Sequence, residues 1–104
     1  MSKYDIRFTQ PASDDLYEIA LYISDDLREP QTARALVKRI QKAIYELAEL
    51  PMRHAIVADE RLTALSIRKM LVESYLVFYT VTEEDHLVMV IRILHSRRNW
   101  IKWL

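Results

Sequence analysis

The sequence predicts an α+β fold in the order β-α-α-β-β-β. It comprises an N-terminal strand, an antiparallel helical hairpin, and a three-stranded antiparallel meander that completes one sheet. Three observations carry this expectation. Apolar residues recur with helical spacing in two stretches of the first half, punctuated by Pro11, Pro30 and Pro51. Three strand-like runs then fill residues 66–95, joined by links too short for a crossover. No repeat, linker or low-complexity tract divides the 104 residues, so 1–104 reads as a single domain.

Lys3 to Thr9 alternates, with Tyr4, Ile6 and Phe8 on one side and Asp5, Arg7 and Thr9 on the other, as a half-buried strand does. Thr9-Gln10-Pro11 then opens a helix, proline standing in the first turn where no N–H is missed. Leu16, Ile19, Ala20, Ile23 and Leu27 mark its apolar face. Pro30 begins a second helix, in which Ala33, Leu36, Val37, Ile40, Ile44 and Leu47 repeat the spacing until Pro51 stops it. Residues 52–65 show no clean period and read as a loop. Ser66–Val72, Tyr75–Val81 and Leu87–His95 are the meander strands, turning at Glu73-Ser74 and at residues 82–85. The last run, LVMVIRILH, is apolar almost throughout and predicts a central strand buried on both faces.

Composition excludes several chemistries. The chain has no glycine, which removes the glycine-rich phosphate cradles of nucleotide-binding folds and leaves turns at positive φ to Asn, Asp or similar residues. It has no cysteine, so disulfides and thiolate metal sites are absent. No two histidines among His54, His86 and His95 have a metal-ligand spacing, and neither a metal nor a cofactor is expected. His54 and His86 read as solvated loop and turn residues, and Asp14-Asp15, Asp25-Asp26 and Glu83-Glu84-Asp85 as solvated carboxylates rather than a hydrolytic pair. There is no signal-peptide core at the N-terminus and no apolar stretch of the ~20 residues a membrane span needs, so a cytoplasmic setting without a membrane partner is expected.

Charge is balanced overall and unevenly spread. Residues 1–60 hold eight Lys/Arg against eleven Asp/Glu, and residues 61–104 hold seven against four. The end of the last strand concentrates the cations, in RILHSRRNW from Arg92 to Trp100. Arg92 lies within an apolar strand and needs a buried partner, so a salt bridge is expected for it. Strict alternation puts Arg92 with Val88, Val90 and Leu94, and His95 with Met89, Ile91 and Ile93 on the other face. His95 can serve as acid or base near neutral pH, and the forks of Arg97 and Arg98 fit phosphate oxygens. Those three are the candidate catalytic residues. Arg68 and Lys69 add two cations on the first meander strand, and Tyr75 and Trp100 offer faces on which RNA bases could stack, although Trp100 fits the core at least as well.

The stretches YDIRFTQPASDDLYEIALYI, IRKMLVESYLVFYTV and VIRILHSRRNWIKWL, in this order and spacing, resemble the RelE/ParE superfamily of bacterial type II toxin–antitoxin toxins over nearly the whole chain. The resemblance implies a toxin neutralised by a cognate antitoxin. It leaves two targets open. RelE-like members are ribosome-dependent mRNA endoribonucleases that inhibit translation, a ribose 2′-hydroxyl attacking the neighbouring phosphate. ParE-like members poison DNA gyrase through protein contacts, without catalysis. For the first, His95 matches a strand-end acid/base, Arg97 or Arg98 a phosphate-stabilising arginine, and Arg68 and Lys69 basic residues that help bind RNA. One departure favours the second. Ribonuclease members commonly carry an arginine in an RLVY-like run on the middle strand, and here Leu76 stands in its place in Tyr75-Leu76-Val77-Phe78-Tyr79. His95, Arg97 and Arg98 with the basic C-terminal half favour the endoribonuclease, with the gyrase inhibitor as the alternative and an inactive, antitoxin-binding member as the third reading.

Overall fold

The computed structural model describes residues 3–104. Its elements run β1 (Asp5–Phe8), α1 (Gln10–Leu21), α2 (Pro30–Glu46), α3 (Glu60–Ala64), β2 (Arg68–Val72), β3 (Tyr75–Thr82) and β4 (Leu87–His95), with a closing 3-10 turn at Trp100–Trp103. The four strands form one sheet in the order β1-β4-β3-β2. The meander is antiparallel, and β1 joins β4 in parallel, pairing Ile6 with Val88 and Phe8 with Val90. A parallel neighbour requires the chain to travel the length of the sheet between the two strands, and the helical hairpin does so.

Each helix starts where its sequence signal stands. The Thr9 hydroxyl caps α1 by accepting from the Ala12 N–H at 3.2 Å, and Pro30 occupies the first turn of α2. The predicted face of α2 is the face that packs, Ile40, Ile44 and Leu47 being fully buried. Along the first helix the expected stripe breaks at its end. A single π-helical turn at Tyr22–Asp26 follows α1, closed by the Leu27 N–H donating to the Tyr22 carbonyl at 3.1 Å. The wider turn shifts the register, so Ile23 stays buried while Leu27 is exposed.

The sheet has a core on each face. The hairpin covers one, packing Ile40 and Ile44 on Val77, Tyr79, Val88, Val90 and Ile93. A smaller core covers the other, where α3 and the C-terminal turn enclose Leu76, Phe78 and Leu94 with Leu62 and Val57. This is why β4 is apolar on both sides. The segment 52–65 is therefore not a plain loop: Asp59 caps α3 by accepting from the Leu62 N–H at 3.2 Å, and Leu62 is fully buried. The Tyr79 hydroxyl ties the start of that segment to the sheet through the Pro51 carbonyl at 2.7 Å.

Strict alternation fails in β4. Phe78 pairs with Arg92 but Tyr79 pairs with Val90, so Ile91 is an extra residue in a β-bulge. The bulge exchanges the faces. Val88 and Val90 point to the hairpin, as do Ile93 and His95 beyond the bulge, whereas Arg92 and Leu94 belong to the opposite side. Arg92 thus does not share a face with Val88 and Val90, contrary to the simple pattern.

Among the described residues, four turn positions take positive φ, Arg28 (56°), Ser66 (56°), Glu73 (54°) and His86 (49°). None is the Asn or Asp that the composition led one to expect. Each carries a Cβ penalty that glycine would relieve. Ser66→Gly is expected to raise stability by roughly 0.5–1 kcal/mol, read as a higher urea midpoint with an unchanged m-value. A lower midpoint would show that the serine side chain outweighs the strain.

Candidate functional site

The open edge of β4 beyond the bulge organises the site. β1 ends at Phe8, so on the edge away from β3 the backbone of residues 91–95 has no strand beside it, and α1 supplies the partners there instead. The Thr9 hydroxyl donates to the Ile91 carbonyl at 2.9 Å. The Asp15 carboxylate accepts from the Ile93 N–H at 2.9 Å and from both Nε and Nη2 of Arg92 at 2.7 Å. The salt bridge expected for Arg92 is present. Asp15 was not expected to be its partner. It is 7% exposed, not a solvated carboxylate. The hydrogen bonds to Asp15 push the Arg92 pKa further up, against the opposing effect of burial, so the guanidinium is a permanent charge. Arg92 also donates to the Trp103 carbonyl at 3.2 Å. One buried carboxylate thereby fixes the bulged strand, the arginine and the C-terminal turn.

Against this frame lies an open groove of about 240 Å³ between α1 and the β3–β4 end, lined by Glu18, Tyr22, Tyr75, His95 and Arg98 among others. Tyr75 stands edge-on to His95 with ring centroids 5.2 Å apart. His95 Nδ1 accepts from the Arg97 backbone N–H at 3.1 Å, which puts the proton of the neutral ring on Nε2 and makes that nitrogen a hydrogen-bond donor. Burial, with the nearby Tyr22 phenol adding to it, pushes the Tyr75 hydroxyl up, so it is protonated at neutral pH and is no base. The Arg98 guanidinium lies 4.1 Å from the centre of the Trp103 ring, a cation–π stack that Arg92 shares from 5.8 Å.

The sequence-predicted site residues do not converge. His95, Arg98 and Tyr75 share the groove. The Arg97 side chain is exposed, and only its backbone meets His95. Arg68 holds the preceding segment, donating to the Met52 and His54 carbonyls at 3.1 and 2.6 Å. Lys69 lies on the opposite face of the sheet, 5.2 Å over the Trp100 ring, which itself packs on Phe78 at 5.1 Å. Trp100 thus completes the second core. His54 and His86 also do more than meet solvent. His54 packs edge-on to Tyr79, with its pKa lowered by burial and then by Arg53, and His86 packs on Tyr4.

Asp15 is the residue that sequence reasoning missed, and a signal for it existed. Ala12, Asp15, Leu16 and Ile19 fall on one helical face, so an acid there is directed into the core. Arg92 is the one cation inside an apolar strand, and the two needed each other.

Among the described residues, no group of three or more His, Asp or Glu could hold a metal ion, and no helix is long and apolar enough to cross a membrane. A family model for the ParE toxin of type II toxin–antitoxin systems, parDE, matches residues 6–100. No curated protein matches the chain by sequence. Among solved structures, the chromosomal ParDE system from P. aeruginosa superposes with a TM-score of 0.74 at 18% identity, covering 91% of this chain and 98% of that one. The toxin–antitoxin complex RelBE2 from Mycobacterium tuberculosis gives 0.64 at 22% identity, over 91% and 93%. The E. coli RelBE complex gives 0.60 at 18% identity, over 91% and 99%. At these identities the structures speak for the fold, and the family match over residues 6–100 speaks for descent: the chain belongs to the ParE toxin family of type II toxin–antitoxin systems.

Proposed function

We propose that this toxin acts through protein contacts on DNA gyrase rather than by cutting mRNA, and that a cognate antitoxin neutralises it in the cytoplasm. Leu76 carries the reading. Where the ribonuclease branch of the superfamily has an arginine, Leu76 is 8% exposed and packed in the second core with Phe78 and Leu94. A transition-state cation has to reach the reacting phosphate, and this position faces the underside of α3 and the C-terminal turn. The cations nearest His95 have other work. Arg92 is bound to Asp15, and Arg98 is stacked on Trp103. The family model that matches is that of ParE toxins.

The endoribonuclease reading keeps one supporting observation: His95, Arg98 and Tyr75 line the same groove. In that reading His95 transfers the proton once the Arg97 N–H leaves Nδ1, Arg98 meets the phosphate, and Tyr75 stacks a base, while Arg97 is exposed beside them and Arg68, Lys69 and Trp100 lie away from the groove.

The antitoxin has a natural seat on the helical hairpin, where Leu16, Tyr17, Ala20, Val37 and Tyr45 line an apolar groove. Coupled folding of a disordered segment onto such a surface is a common mode of partner binding.

The gyrase reading is tested with purified gyrase and supercoiled DNA. Adding toxin that arrests growth in cells is expected to accumulate covalent gyrase–DNA breaks with dose, and prior addition of antitoxin to prevent them. No breaks with toxin in excess over gyrase would reject gyrase as the target.

A further inference from the structure

The outward face of α2 is unlike the rest of the surface. Between Glu29 and Glu46 the chain has no acid, although the first sixty residues as a whole are acid-rich. On a helix of 3.6 residues per turn, Gln31, Arg34, Lys38, Gln41, Lys42 and Tyr45 fall within an arc of about 100°. All six are exposed. The opposite arc carries Ala33, Leu36, Ile40 and Ile44 into the core, so this face is turned away from the sheet. Arg39 lies off the face and is ion-paired with Glu73. Among the described residues, no carboxylate pairs with Arg34, Lys38 or Lys42.

We infer that this face of α2 binds the phosphate backbone of duplex DNA, with Arg34, Lys38 and Lys42 as the phosphate contacts. The three cations follow one another at i, i+4 and i+8, about 6 Å apart along the helix axis. The flanking Gln31 and Gln41 amides and the Tyr45 hydroxyl can donate to phosphate oxygens as well. Every side chain on the face can therefore donate to a phosphate oxygen, and the acids beside it, Glu46 and Glu49, border its Lys42–Tyr45 end. An acidic peptide is the competing occupant. It would use the cations but leave the two amides and the length of the row, about 21 Å from Gln31 to Tyr45, without a matching periodic partner. A toxin that holds a gyrase–DNA complex meets DNA where it works, so the inference rests on the gyrase reading for its choice of polyanion. It adds a direct DNA contact by the toxin itself.

The test uses the free, full-length toxin and a fluorescein-labelled duplex of arbitrary sequence, with anisotropy read from 50 to 200 mM NaCl. Three phosphate contacts predict a log–log salt slope near −2.7, which is a loss of about 40-fold in affinity over that range. Arg34→Gln, Lys38→Gln and Lys42→Gln are each expected to reduce the slope by about one. The triple variant should lose measurable binding while keeping the wild-type circular dichroism and melting curve, since all three positions are exposed. Unlabelled duplex should displace the probe at a lower charge concentration than a poly-glutamate peptide does. Absence of binding at 50 mM NaCl would overturn the inference. So would a salt slope unchanged in the triple variant, or poly-glutamate competing as well as duplex. Because no gyrase is present, these outcomes are separate from the fate of the gyrase reading: a toxin that traps gyrase yet ignores duplex DNA sinks this inference alone.

Discussion

Asp15→Ala is expected to destabilise the toxin by about 3–5 kcal/mol, the usual loss when one partner of a buried ion pair is removed. Two groups are stranded at once. The Arg92 guanidinium, whose side chain is 20% exposed, loses its bidentate acceptor, and the Ile93 N–H on the open edge of β4 loses its only side-chain partner. On a domain of this size the melting temperature should fall by at least roughly 12 °C. Asp15→Asn keeps the shape and one acceptor and should lie between the two. The double change Asp15→Leu with Arg92→Met removes both charges and should recover much of the loss, since replacing a buried pair by apolar groups is often neutral. Thermal and urea unfolding measure all three. A loss below about 1 kcal/mol for Asp15→Ala would mean that water replaces the carboxylate and that the bulged edge does not depend on it.

Leu76→Arg is the second large effect. The substitution restores the residue that the ribonuclease branch carries, and it is expected to unfold or severely destabilise the protein, by at least about 3 kcal/mol. Leu76 is packed with Phe78 and Leu94, and an arginine there would bury its charge without a partner or force open the cover made by α3 and Trp100. Leu71 supplies the control. It is paired across the strands with Leu76 but is 62% exposed. Leu71→Arg should stay within about 0.5 kcal/mol of wild type. The comparison is made by urea midpoint. Equal, small effects at both positions would mean that the second core opens readily enough to present residue 76 to a ligand, and the endoribonuclease reading would then gain what it now lacks.

The parts of the fold legible in the sequence were those with a period. α2 keeps one apolar stripe from Ala33 to Leu47, and the stripe is what packs. The meander strands were bounded by short polar turns and paired as those turns require. What escaped had no period to show. β4 is covered on both faces, so its apolar run hides the extra residue at Ile91, and with it the exchange of faces at Arg92. The π-helical turn at Tyr22–Asp26 carries no proline or glycine to mark it, and α3 is too short to display a stripe, although Asp59 was a readable cap. The candidate site divided along the same line. His95, Tyr75 and Arg98 lie on one side of the sheet end because the bulge puts His95 there. Lys69 fell to the other face by strand parity, Trp100 was carried there by the C-terminal turn that packs it on Phe78, and Arg68 was drawn to backbone carbonyls that no local pattern announces.

A toxin with a protein target should not cut RNA. Primer extension on translated messages maps mRNA 5′ ends in cells arrested by the wild-type toxin. The ends are expected to be the same as in cells arrested by a gyrase poison, with none added at codon positions. New ends in phase with the reading frame, dependent on translation and lost in His95→Ala, would contradict it and make the groove at the end of β4 a ribonuclease active site.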